Sequence, residues 1–174
     1  MDLIISSMLK VYQKARLMIF LNPESDPLGI GYHSLQAKIA IGSGGFFGKG
    51  FMHGTQTQLA FIPQQFTDFI FSALGEEFGF LGAVIVLALF AVVIYRAILL
   101  ATESRDFFGS MLAAGIAVML SFQVLVNVGM TLGLLPIVGV PLPFLSYGGT
   151  ALAVDMCAVG ILQSIAMRRH KLLF

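Results

Sequence analysis

Between Asp106 and Asp155 the chain runs for 48 residues without a charged side chain. At 1.5 Å of rise per residue, a single helix of that length would far overshoot a hydrocarbon core of about 30 Å. Pro136, Pro141 and Pro143 mark where it breaks, because proline lacks a backbone donor and clashes with the preceding turn. The run therefore divides into a membrane span at about 107–131, a Gly/Pro-rich external or re-entrant loop at 132–149 and a span at about 150–167. Upstream, Phe78 to Tyr95 is a further 18 residues without charge, and it extends through Leu100 into a span placed at 69–101. Arg96 near its end can snorkel to the headgroups. The polar TESRD stretch (102–106) makes a short loop, and 168–174 is a basic tail.

Composition agrees with lipid as the solvent. Charged residues make up 11% and hydrophobic ones 57%, with a mean hydropathy of +0.91. A soluble domain carries about 25% charged residues, so this chain lacks the polar surface to coat a globule in water. The expected fold class is an all-α integral membrane protein, with three transmembrane helices and a long external loop bearing short interfacial helices. The net charge of +1 creates no field for nucleic acid. One cysteine, Cys157, excludes an internal disulfide. His33, His53 and His170 fall in no ligand spacing and read as loop or interfacial residues, so no metal site is expected.

Residues 1–68 mix charges with turn formers from Asn22 to Gly31, and short helices are expected at about 3–20 and 33–41. The apolar part of the opening MDLIISSMLKVYQK is too short for a signal peptide or a span, so the chain is expected to begin mid-protein or to be a truncated product. Arg96, Arg105, Arg168, Arg169 and Lys171 all fall at ends that alternating spans place on one side. The positive-inside rule makes that side cytoplasmic, with the C-terminus, and puts 1–68 and 132–149 outside.

Three segments hold the residues able to carry chemistry. In FIPQQFTDFIFSALGEEFGF (61–80), Thr67 and Asp68 stand where a polar loop enters an apolar helix. Asp68 can serve there as a helix cap, or as a partly desolvated carboxylate acting as general base. Glu76 and Glu77 follow two turns later, where an acid must face the bundle interior or a water-filled cavity. IGSGGFFGKG (41–50) has the glycine amides and the lysine, Lys49, of an anion cradle. It departs from the Walker pattern at Ser43 and Gly50, and a flexible glycine turn is the alternative. In LGLLPIVGVPLPFLSYGGT (132–150), so apolar a segment between two spans reads as re-entrant, with Gly148 and Gly149 permitting close backbone approach. Asp155 lines the same cavity or, the favoured reading, hydrogen-bonds to Gln123 or Asn127 of the preceding helix.

These motifs resemble the SEDS family of the RodA and FtsW type. YQKARLMIFLNPESDPLGIGYHSLQAKIAIGSGGFFGKG is similar to the family's large extracytoplasmic loop, TDFIFSALGEEFGFLG to the segment entering its eighth helix, and NVGMTLGLLPIVGVPLPFLSYGGT to its signature. The likeness runs from about Tyr12 to Met167, and the first segment leans to a RodA-like elongation protein rather than a division paralogue. Family members often carry Glu after the loop proline and His before the Thr-Asp pair, where this chain has Gln64 and Phe66.

The resemblance implies a ten-helix fold in the bacterial cytoplasmic membrane, of which this chain supplies the external loop and helices eight to ten. The implied activity is a peptidoglycan glycosyltransferase that polymerises lipid II for cell-wall elongation and cell shape, with a class B penicillin-binding protein as partner. Asp68 would be catalytic, and Lys49, Thr67, Ser146 and Tyr147 would contact the substrate. No cofactor is required; a divalent cation is compatible, although no ligand cluster demands one. Two other readings remain, a lipid II flippase and a membrane scaffold for the transpeptidase. The chain by itself is expected to be inactive, because three spans cannot enclose the cavity of ten. The acids at 68, 76, 77 and 155 cluster toward the expected outer half, which favours polymerisation over passage through the full membrane depth.

Overall fold

The computed structural model describes residue 16 and residues 30–54 and 67–169. The described residues form four helices and no strand: α1 (Ile30–Gly44), α2 (Ile70–Glu103), α3 (Phe107–Thr131) and α4 (Gly149–Arg169). Apart from Arg16, which is helical, the helix expected at 3–20 lies outside the described residues, as do the turn signals from Asn22 to Gly29, Gln64 and Phe66. α2, α3 and α4 are each long and apolar enough to cross a membrane. The fold is therefore an all-helical membrane architecture.

α2 is 34 residues long, more than the roughly 20 that cross a bilayer core. It does not run straight. At Gly79 the backbone adopts φ 67°, ψ −163°, a region essentially reserved for glycine. The helix also continues to Glu103, past the 101 boundary read from the sequence, so only residues 104–106 link it to α3. So short a link makes α2 and α3 antiparallel neighbours. Ser110 Oγ fastens the turn by donating to the Ala101 carbonyl at 2.6 Å.

The spans meet through small side chains. Ala97 of α2, Ala113 and Ala117 of α3 and Ala158 of α4 pack together with Leu120 and Leu162. Lipid tails are as apolar as leucine, so helix association in a bilayer depends on close van der Waals contact, which alanine permits.

α1 is longer than the 33–41 expected, and it is packed rather than merely resting at the interface. Ala37 and Ala40 are fully buried against Phe69 and Ile137. Its last residue, Gly44, lies so close to the Gly75 carbonyl that a Cβ would overlap it. Beyond Gly44 the chain docks onto the break in α2. The amides of Lys49 and Gly50 donate to the carbonyls of Glu76 and Glu77, both at 3.0 Å, and those of Phe80 and Leu81 donate to Gly45 and Phe46 at 2.9 and 3.2 Å. This corrects the anion-cradle reading of 41–50. Its first four residues are helical, and the amides of Gly48, Lys49 and Gly50 are consumed by helix carbonyls, so they do not converge on a ligand.

The segment between α3 and α4 is irregular but anchored. Leu142 packs with Phe71, Phe90 and Val124, while Leu134 and Tyr147 point outward. Positive φ occurs at Gly133, Gly139 and Phe144. The tight glycines are not Gly148 and Gly149: a Cβ on Gly148 would meet only Ala151 at an ordinary 3.5 Å, and one on Gly149 would meet nothing.

Candidate active site

Asp68 is not a helix cap. α2 begins at Ile70 with Phe69 in the N-cap position, and no side chain caps it. Asp68 stands one residue further out, half-buried, in the turn that precedes the helix. Its carboxylate lies over Gly139, where a Cβ would come 3.3 Å from Oδ2. The left-handed glycine thus supplies both the turn and the space for the acid. Among the described residues, no side chain or amide donates to this half-buried carboxylate.

Two buried polar side chains hold the Asp68 backbone in place. Asn127 of α3 donates from Nδ2 to the carbonyls of Asp68 (3.0 Å) and Val140 (2.8 Å). Ser146 donates to the Thr67 carbonyl at 2.6 Å and accepts from the Leu142 amide at 2.7 Å. One residue from α3 and one from the proline-rich loop therefore bind the 67–68 turn to residues 140–146.

Asp155 closes the other side of that loop. Its Oδ2 accepts from the Phe144 amide at 3.3 Å, bracing a residue that sits at φ 60°. This corrects the expected bond to Gln123 or Asn127. Asn127 instead spends its amide donors on the Asp68 and Val140 carbonyls, and among the described residues Asp155 Oδ1 and Gln123 Oε1 find no donor.

Of the sequence-derived site residues, Asp68, Thr67 and Ser146 come together. Tyr147 follows Ser146 but is 83% exposed. Lys49 is placed elsewhere, its ammonium 2.9 Å from the fully buried Glu76 carboxylate. Two cations that sequence reading passed over do approach the loop. The Lys38 side chain lies directly over Gly133, and Arg16 donates from Nη1 to the Val138 carbonyl at 3.2 Å. Nothing in the spacing could have revealed them, since Arg16 and Val138 are 122 positions apart. Among the described residues no three His, Cys, Asp or Glu side chains converge on a metal-sized site.

An acid at a loop-to-helix junction, fixed by an asparagine and a serine from a proline-rich loop between two spans, is the arrangement to compare with known proteins. The family model FTSW_RODA_SPOVE, described as "Cell cycle protein", matches residues 1–171. The chain belongs to the FtsW/RodA/SpoVE family. It is 53% identical over 161 residues to the peptidoglycan glycosyltransferase MrdB of Escherichia coli K12, covering 92% of this chain and 44% of that one. Identity to the peptidoglycan glycosyltransferase RodA of Treponema pallidum is 50%, covering 92% and 37%. Among solved structures it is similar to a chain from "Structural coordination of polymerization and crosslinking by a peptidoglycan synthase complex", with a TM-score of 0.74 and 34% identity over 94% of this chain and 44% of that one. The chain thus spans less than half the length of these FtsW/RodA/SpoVE relatives.

Proposed function

We propose that this chain carries the general base of a peptidoglycan glycosyltransferase, and that Asp68 is that base. The observation that bears most weight is the Asp68 carboxylate itself, seated on Gly139, excluded from helix capping and fixed through its backbone by Asn127. A half-buried carboxylate positioned through its backbone is suited to taking a proton. The acceptor's 4-hydroxyl loses its proton to Asp68 as its oxygen attacks the donor's anomeric carbon. The bond from that carbon to the lipid diphosphate breaks, and the diphosphate departs with the electron pair. Relatives named as peptidoglycan glycosyltransferases support this choice of reaction, and lipid II is the substrate we assign to it.

The departing diphosphate needs positive charge nearby. The Lys49–Glu76 pair is neutral as a unit, so Lys38 and Arg16, whose side chains lie against the 133–139 loop, are better placed to supply it. The protein sits in the bacterial cytoplasmic membrane with Asp68 outside and the C-terminus in the cytoplasm, beside a class B penicillin-binding transpeptidase.

The test is Asp68→Asn in protein purified from its host membrane, assayed on labelled lipid II with its transpeptidase partner. Polymerisation should fall by roughly 10²–10⁴ at unchanged melting temperature. Near wild-type polymerisation by the folded variant would refute the assignment.

A further inference from the structure

The break in α2 falls where a helix ordinarily leaves the hydrocarbon. About 20 helical residues cross the core, and counting back that far from Arg96 reaches Glu76 and Glu77. Gly79 therefore stands just inside the boundary on the Asp68 side. An opened helix at that depth exposes amides and carbonyls that lipid cannot satisfy. Residues 45–52 answer this need: they accept from the amides of Phe80 and Leu81 and donate to the carbonyls of Glu76 and Glu77. Their one charged side chain, Lys49, is neutralised by Glu76 at 2.9 Å.

With its polar groups turned inward, the loop turns its apolar ones outward. Phe46, Phe47, Phe51 and Met52 are each more than half exposed. On α2, Leu81, Ile85, Leu89 and Val92 are exposed at three- and four-residue intervals, one continuous stripe down the spanning helix. Ring contacts join the two surfaces, Phe46 with Phe80 at 5.7 Å and Phe51 with Phe78 at 6.1 Å between centroids.

We propose that residues 45–52 are seated in the lipid of the leaflet on the Asp68 side, covered by phospholipid acyl chains as a continuation of the α2 stripe. Three phenylalanines and a methionine would be unfavourable facing water, and each ring removes a large apolar area when lipid covers it. Lipid fits this surface because the backbone groups freed at the α2 break are paired, the one charge is paired and the apolar face is unbroken. The seat also fixes the depth of α1 through the Gly44–Gly75 contact, and with it Lys38 above Gly133. The inference rests on the membrane fold and stands apart from the catalytic proposal.

The unsubstituted protein, reconstituted in liposomes containing a phosphatidylcholine with a diazirine on its acyl chain, would be photolysed and its peptides analysed by mass spectrometry. Adducts are expected on Phe46, Phe47, Phe51 or Met52 as well as on the Leu89 stripe. Nitroxides at Phe47→Cys and Leu89→Cys, each with Cys157→Ser, should then behave alike, open to oxygen and shielded from a water-soluble nickel chelate. A label at position 47 open to the chelate would place the loop in water. One closed to both probes would place it beneath another protein segment. Either result, or labelling of the stripe without the loop, overturns the proposal.

Discussion

Glu76 has no solvent exposure, and the Lys49 ammonium bonded to it comes from a loop outside its helix. A buried ion pair contributes little net stability when intact, but removing one partner strands a charge at a cost of about 3–5 kcal/mol. Glu76→Gln should therefore lower the melting temperature of the purified protein sharply. Lys49→Met should do the same, while Lys49→Met with Glu76→Met should cost less than the sum of the two. Lys49 remains 28% exposed, which puts the single losses toward the lower end of that range. Additive losses in thermal unfolding would mean the pair does not act as a unit. Ser146 is the other sensitive residue, since its hydroxyl both donates and accepts inside the 67–146 junction. Ser146→Ala leaves the Leu142 amide buried without its acceptor, at about 1–3 kcal/mol. The loosened Asp68 turn should also reduce polymerisation, a loss readable in the lipid II assay at temperatures where the variant stays folded.

The elements themselves were largely legible, because charge-free length and proline are strong signals in a chain whose solvent is lipid. The three spans follow from 18- and 48-residue uncharged runs and from Pro136, Pro141 and Pro143, and the all-helical membrane fold was read from them. The roles of the glycines were not legible, since a glycine's purpose depends on which backbone lies against it. Gly148 and Gly149 drew attention as a pair and touch little, while Gly79 looked like one more residue of a span and is its break. The site was legible as a residue type at a junction, in Asp68, but not as an assembly. Asn127 and Ser146 reach the 67–68 turn across 59 and 79 positions, and no periodicity encodes such contacts. The glycine argument can be tested directly. Gly48 has φ 81° and lies on the Glu77 carbonyl, so Gly48→Ala should destabilise by at least about 1–3 kcal/mol from backbone strain alone. Gly42 is helical with open space around it, and Gly42→Ala should be neutral or raise the melting temperature. Similar melting temperatures for the two variants would show that the loop can lift off α2.

At the scale of the molecule, the question that decides the rest is which end faces the cytoplasm. Two antiparallel turns and three spans place Arg96, Arg105 and Arg168 near one end and Asp68, with the proline-rich loop, at the other. Lysines at the Asp68 end do not offset this bias, because Lys49 is neutralised by Glu76 and charges in long external segments count little toward orientation. The proposed base, acting on lipid-linked sugars outside the cell, would also lie at the outer end. The charge bias and the proposed function thus call for the same orientation. Tyr147 is 83% exposed at the Asp68 end, and Ser104 lies in the three-residue link at the other. In a Cys157→Ser background, Tyr147→Cys should react with a membrane-impermeant maleimide in intact cells from which any outer membrane has been stripped. Ser104→Cys should react only after the cytoplasmic membrane is permeabilised. The reverse pattern would put Asp68 in the cytoplasm, where no glycan strand is assembled, and would remove the proposed function together with the orientation. Reaction at both sites in intact cells would instead show that the chain does not span the membrane as three helices.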